Sequence, residues 1–289
     1  MNVSESMQSF CVRVNNGSGV LVNAMTQEYS YVLTAAHVLP DNLDDIIIQD
    51  CLGNPLDVLA VLTLQEWDET QEYDCAILKV TYQEQVTQKL SSATNLPNQA
   101  NLTLVGFPQS EIESTAPIKF YDGHMTSVVN ELVIFTINGI PGAGTIKGMS
   151  GGGVYHIENK IPLLIGIEFR MDGSSQEQQY GRVQCYSLVR FEEIITLNSS
   201  APMLPSYLEC FSNVTSEIFS FNVDDPSNVS ALKQELKYAA NHLIEKGLLP
   251  PYKIMELYDS DLLVDPNNLS ELKTYELWVA YLEFLVISV

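Results

Sequence analysis

From Phe10 to about Leu197 the apolar residues come in short bursts: "GVLVN", "YVLTAA", "DIIIQD", "DVLAVLTL", "CAILKV", "NLTLVGF", "LVIFTI", "GGGVYHI", "PLLIGIEF" and "VQCYSL". Each is rich in β-branched or aromatic side chains and is set off by Gly, Asn, Asp or Pro. Strands of this length recurring between turn signals predict an all-β sandwich or a pair of barrels. The opening "MNVSESMQSF" is polar and runs straight into a strand-like "FCVRV".

After "NSSAPMLPSY" the period changes. In "SALKQELKYAANHLIEKG", Leu232, Leu236, Ala239, Ala240 and Leu243 fall at helical spacing, with Ser230 as N-cap and Gly247 as C-cap. Pro250 and Pro251 stop that helix. "PNNLSELKTYELWVAYLEFLVISV" predicts a second amphipathic helix, and a shorter one is expected over about 252–263. The boundary between the two textures is placed near residues 198–205. The expected organisation is a domain over 1–198, with one half at about 8–95 and the other at about 100–197, followed by a helical part over 199–289.

Composition narrows the partners. With 36 acidic residues against 14 basic, the net charge is −22. Such a surface repels phosphate backbones, so nucleic acid is not an expected partner; basic proteins and peptides are. No apolar run approaches the ~18 residues of a spanning helix, and the start of the chain lacks the basic-then-apolar pattern of an export signal. A cytoplasmic location without membrane association is expected. Cys11, Cys51, Cys75, Cys185 and Cys210 are an odd number, scattered, with no Cys-x-x-Cys pair, which argues for buried free thiols over disulfides or a metal site. No metal or cofactor is expected.

The chemistry centres on "KGMSGGGVY". It lacks the Gly-Lys-Ser/Thr of a phosphate loop. Gly148-Met149-Ser150-Gly151-Gly152 formally fits Gly-x-Ser-x-Gly, but strand-like runs lie on both sides, whereas that elbow needs a following helix. Upstream, Thr34-Ala35-Ala36-His37 ends one apolar run and Asp74 heads another. The small residues let the chain turn and aim an imidazole at a cleft, and the carboxylate can be buried against it. His37, Asp74 and Ser150 then stand in the order of one known serine-nucleophile constellation. Asp44 and Asp68 compete for the acidic role, and His124, His156 and His242 read as surface, turn or helix-face residues.

The chain here resembles the trypsin-like (chymotrypsin-fold) serine peptidases, particularly small bacterial HtrA-like members. The resemblance rests on "GSGVLV", "LTAAHV", "DCAIL" and "GMSGGGV", with a weaker fifth piece in "LIGIEF". It covers about residues 8–197, roughly two thirds of the chain. It implies a mainly β fold of two six-stranded antiparallel barrels, here followed by a small helical domain. It also implies a serine endopeptidase acting through an acyl-enzyme. Ser150 attacks a peptide carbonyl, His37 moves the proton, Asp74 holds the imidazole, and the N–H groups of Gly148 and Ser150 form the oxyanion hole. The substrate is expected to add as a strand along Gly166, Ile167 and Glu168. Residues 144–147 and 166–169 are expected to wall the primary specificity pocket. Nothing there is a clear acidic base of the trypsin type: Glu168 at the mouth would favour a basic residue, and a small or apolar preference is equally compatible.

Met149 stands where enzymes activated by N-terminal cleavage carry an aspartate that pairs with the freed amino group. Activation by that route is therefore not expected. The helical tail is similar in arrangement to that of bacterial conflict or anti-phage peptidases, in which a helical adaptor binds an activating partner. The alternative is a non-catalytic module that recruits a protein through its cleft and tail. Substrate and oligomeric state are not legible.

Overall fold

A computed structural model describes residues 2–24, 26, 28–64, 74–129, 131–171 and 181–203. The chain divides into two units, Met1–Cys210 and Phe211–Val289, and every described residue lies in the first. The helices expected after residue 230 fall outside the described residues.

The polar opening folds as a short helix, α1 (Val3–Ser9). Asn2 caps it, its side chain accepting from the Glu5 N–H while Glu5 reaches back to the Asn2 N–H. That reciprocal pair satisfies two otherwise orphaned donors. Six strands follow: β1 (Cys11–Val14), β2 (Gly17–Asn23), β3 (Tyr29–Thr34), β4 (Ile48–Gln49), β5 (Val58–Thr63) and β6 (Ala76–Thr81). They form one sheet in the order β4-β1-β2-β3-β6-β5. Every residue of β2 is buried, so this strand is covered on both faces.

The second sheet holds β7 (Lys89–Leu90), β8 (Asn101–Gly106), β9 (Lys119–Val129), β10 (Leu132–Ile137), β11 (Gly153–Glu158), β12 (Ile161–Met171) and β13 (Arg182–Ser187). Its order is β11-β8-β9-β10-β13-β12-β7, and β11 also pairs with β12. That extra pairing closes six strands into a barrel and leaves β7 as a short parallel appendage on β12. A closed sheet has no free edge to manage. Leu102, Leu104, Phe135, Ile165, Val183 and Cys185 pack its interior. A one-turn helix, α2 (Ala143–Ile146), precedes the glycine-rich stretch.

The fold is mainly β with two barrel-like sheets, as expected. The second barrel's strands end at Ser187; residues beyond it form α3 (Leu188–Leu197), which buries Leu188, Phe191, Ile194 and Ile195 on one face. The chain then crosses back to the first sheet. Tyr31 Oη donates to the Ala201 carbonyl (2.5 Å), and the Ala201 N–H donates to Tyr29 Oη (3.1 Å). No helix among the described residues is long and apolar enough to cross a membrane.

Candidate active site

Two neighbouring strands place His37 and Asp74 at one end of the first sheet. β3 and β6 are antiparallel, with Thr34 opposite Ala76. His37 lies three residues past Thr34 on a 3-10 turn, and Asp74 two residues before Ala76, so register alone brings them together. Ala35 and Ala36 are buried and leave room for that turn. The His37 backbone N–H donates to Asp74 Oδ1 (2.9 Å), and Nδ1–H donates to Asp74 Oδ2 (2.6 Å). Two bonds to one carboxylate fix both ring position and tautomer, leaving the Nε2 lone pair free. The His37 side chain keeps 44% of its exposure and Asp74 22%. The Asp74 N–H points to Tyr186 Oη on β13 (3.4 Å), tying the acid to the second barrel.

Ser150 lies between α2 and β11, and its loop is held by Ser18 of β2. The Ser18 N–H donates to the Ser150 carbonyl (2.7 Å), and Ser18 Oγ donates to the Gly148 carbonyl (2.9 Å). The same Oγ accepts from the Phe107 N–H (2.8 Å), while the Ser18 carbonyl accepts from Thr34 Oγ1 (2.7 Å). Ser18 and Thr34 are 0% exposed. One buried serine thus joins the Ser150 loop, the strand leading to His37 and the second barrel. Its role is not visible in the sequence, because its partners are distant in the chain.

The loop is also packed tightly. A Cβ on Gly17 would lie 2.5 Å from Val38 Cγ1 and 2.9 Å from the Ser150 carbonyl oxygen. The main chain of Ser150 and the residue after His37 are therefore separated by the width of one glycine. Gly148 and Gly151 adopt φ of +94° and +90°, the left-handed region that favours glycine. The Met149 N–H donates to the Ile146 carbonyl (2.9 Å), the Gly151 N–H to Glu168 (2.7 Å) and the Gly152 N–H to Met149 (2.6 Å). Among the described residues, the N–H groups of Gly148 and Ser150 have no acceptor, nor does Ser150 Oγ bond to His37.

A family model for the trypsin-like peptidase domain matches residues 17–167, more than half of the chain. The chain belongs to the trypsin-like peptidase family. A second model, for C-terminal domain 4 of the ABC-three component (ABC-3C) systems, matches residues 185–289 and begins within β13. The chain is also similar to the solved structure of kallikrein-related peptidase 10 in complex with Zn2+. The identity is 16% and the TM-score 0.48, over 68% of this chain and 98% of that one. No curated protein matches.

Within this peptidase domain the expected substrate edge needs correction. Gly166 and Ile167 pair with Val154 and Gly153 on one side and with Ser187 and Tyr186 on the other. Glu168 is likewise engaged, its N–H donating to Gly152 and its carbonyl accepting from Gly151. No backbone group remains there to receive an added strand. Past Glu168 the strand bulges, and residues 170 and 171 pair with β13 alone. Among the described residues, the open edge of β12 is therefore residues 169–171, beyond the span over which β11 closes the barrel.

Met149 is fully buried, with its thioether against Gly106, so an apolar side chain fills its site and no ion pair forms there. His124 is exposed, and His156 Nδ1 lies 3.0 Å from the Asn101 carbonyl, both structural positions. Cys11, Cys75 and Cys185 are buried free thiols and Cys51 is half-buried; Cys210 lies outside the described residues.

Glu168 was expected at a pocket mouth, yet it is 2% exposed. Burial, and then the negative charge of Asp74, push its carboxyl up to about 8 from an ordinary 4.5. Below about pH 4.5 both the folded and unfolded chains hold that proton; between about 4.5 and 8 only the folded chain does. Its contribution to stability therefore declines as pH rises through that window. Glu168→Gln removes this decline, read as urea midpoints across the same range. An unchanged pH slope in the variant would contradict the burial argument.

Proposed function

We propose that this peptidase domain is a serine endopeptidase, with Ser150 as nucleophile, His37 as general base and then acid, and Asp74 as the group that orients and stabilises the imidazolium. The observation that carries this reading is the two-point clamp of Asp74 on His37. It sits beside a loop whose Gly148 and Ser150 N–H groups are unspent. Preorganised donors aimed at a developing oxyanion contribute about 3–4 kcal/mol each in such chemistry. Serine–histidine hydrogen bonds are often long before substrate binds, so an unbonded Ser150 Oγ is compatible with the assignment.

In the proposed reaction, Ser150 Oγ forms a bond to the scissile carbonyl carbon as its proton passes to His37 Nε2. The tetrahedral oxyanion faces the Gly148 and Ser150 N–H groups. Collapse breaks the C–N bond, and His37 returns the proton to the leaving amine. Water then enters by the same route and frees the acid and Ser150. The substrate backbone pairs along residues 169–171, where β12 is open. No step calls on a metal or cofactor.

The match to an ABC-3C C-terminal domain supports placement in a multi-component system, which we read as a cytoplasmic bacterial defence system. In this reading the region beyond residue 198 docks a protein partner that gates cleavage.

The full chain is tested on a quenched-fluorescence peptide library, alone and mixed with the other components of its system. The expected result is hydrolysis in at least one arm, blocked by a sulfonyl fluoride and indifferent to chelators. Absence of hydrolysis in both arms, or chelator-sensitive cleavage that ignores the serine reagent, would contradict it.

A further inference from the structure

The first sheet is left open where the second closes. Its order begins with β4 and ends with β5, and among the described residues β5 has β6 as its only strand partner. The chain from β4 to β5 starts as a hairpin: Gln49 bridges Pro55, and the Leu56 N–H donates to the Ile48 carbonyl (3.0 Å). Continued in that register, residues 58–61 of β5 would face residues 46–43. Instead Leu43–Asp45 curl into a 3-10 turn, and a groove of about 500 Å³ opens between that turn and residues 56–61. A strand is missing from this place in the barrel.

The groove is built to receive one. β5 reads Val-Leu-Ala-Val-Leu-Thr, with neither the charge nor the proline that discourages pairing at an edge. Its register with β6 skips Leu59, which is 56% exposed, and Leu43 across the groove is 50% exposed. Edge strands present alternate N–H and C=O groups away from their one partner, so an extended segment can pair there. Asp44 and Asp57 line the same groove and are exposed, and neither carboxylate has an ion-pair partner among the described residues. Asp45 adds another exposed acid on the turn. A second copy of this chain would bring like charges together, on a protein whose net charge is already −22.

We propose that this groove docks an extended basic segment of a partner protein, which adds to β5 as a strand and alternates aliphatic residues with Lys or Arg. Side chains of a strand alternate in direction, so its aliphatic face covers Leu43 and Leu59 while its cations reach Asp44 and Asp57. The net charge of −22 steers such a segment inward before it docks. None of the lining residues belongs to the Ser150 loop or to the His37–Asp74 pair, so the site stands whether or not the endopeptidase reading does.

The test uses the full chain carrying Ser150→Ala, so that the probe is not cut, at physiological salt. The probe is a fluorescein-labelled peptide of about eight residues, within the ordinary length of a strand, alternating valine and lysine. One control alternates valine and glutamate. The other is the valine–lysine peptide N-methylated along one edge, which keeps the side chains and cannot pair on that edge. In fluorescence anisotropy the probe is expected to bind at least tenfold more tightly than either control, and to slow amide hydrogen exchange at residues 58–61. Asp44→Lys with Asp57→Lys is expected to erase the preference for lysine over glutamate. Both side chains are exposed, so the thermal transition of that variant should stay within a few degrees of the parent. Absence of binding, equal binding of the methylated peptide, a preference that survives the charge reversal, or protection confined to other residues would overturn the assignment. Concentration-dependent dimerisation that protects residues 58–61 without any peptide would assign the groove to a second copy and overturn it as well.

Discussion

Ser150→Ala lowers kcat on a cleavable peptide by about a million-fold, and His37→Ala does nearly the same. The two losses do not add in the double variant, because nucleophile and base act as one unit. Asp74→Asn costs about 10^4-fold, since an amide facing Nδ1 favours the wrong imidazole tautomer. Ser150 Oγ has no partner among the described residues, and its side chain is only half-buried. Its removal therefore leaves the thermal transition within a few degrees of the parent. Comparable kcat values for parent and Ser150→Ala would contradict the assignment.

Gly151→Ala is expected to destabilise the fold by about 3 kcal/mol or more. A left-handed backbone alone costs a non-glycine residue about 1–3 kcal/mol. At φ +90° the new Cβ would also collide with the Ser18 carbonyl oxygen and stand 2.5 Å from Thr34 Oγ1. Neither neighbour can yield without loss, because Thr34 Oγ1 donates to that same carbonyl and Ser18 holds both Gly148 and Ser150. The loop must shift, and activity falls with stability. Gly144→Ala is the matched control: nothing lies within 4 Å of its Cβ, and it sits in the short helix α2. Urea denaturation of the two variants should separate them clearly. Equal midpoints would mean that the contact between the sheets at Ser18 is softer than its geometry implies.

These two expectations differ in how far the sequence foretold them. The meeting of His37 with Asp74 was legible because each sits in a short local motif at the end of an apolar run, and Ser150 stands out in its own glycine-rich motif. The strands from β2 to β6 were legible for a similar reason, since alternating or continuous apolar runs report burial directly. Ser18 was not. It reads as one small residue in "GSGVLV", and its importance comes from bonds to Gly148 and Phe107, 130 and 89 residues away. Such pairings depend on how two barrels meet, which no local pattern encodes.

Other differences have local causes. α1 had a visible signal in Asn2 and Glu5 three residues apart, outweighed by the strand-like run that follows it. β9 was passed over because its outward positions are polar, with Gly123 and Met125 among its few buried residues. α3 was missed because Leu188, Phe191, Ile194 and Ile195 follow directly on a strand, without a break in apolar texture. Residues 166–168, expected as a substrate edge, are already paired on both sides. Strand membership could be read from "LIGIEF", but which backbone groups remain unpaired depends on the β11 and β13 partners and on the bulge after Glu168. Glu168 itself was recognised as a candidate, while its depth was not, because a glutamate in sequence reads as exposed until its register partner, Cys185, is known.

The most direct test of the account is to map the adduct of a biotinylated fluorophosphonate on the full chain by intact-mass and peptide mass spectrometry, alone and with the other components of its system. A single adduct is expected, on Ser150, lost in Ser150→Ala and strongly slowed in His37→Ala. An adduct on a different residue, or none in either arm, would contradict it.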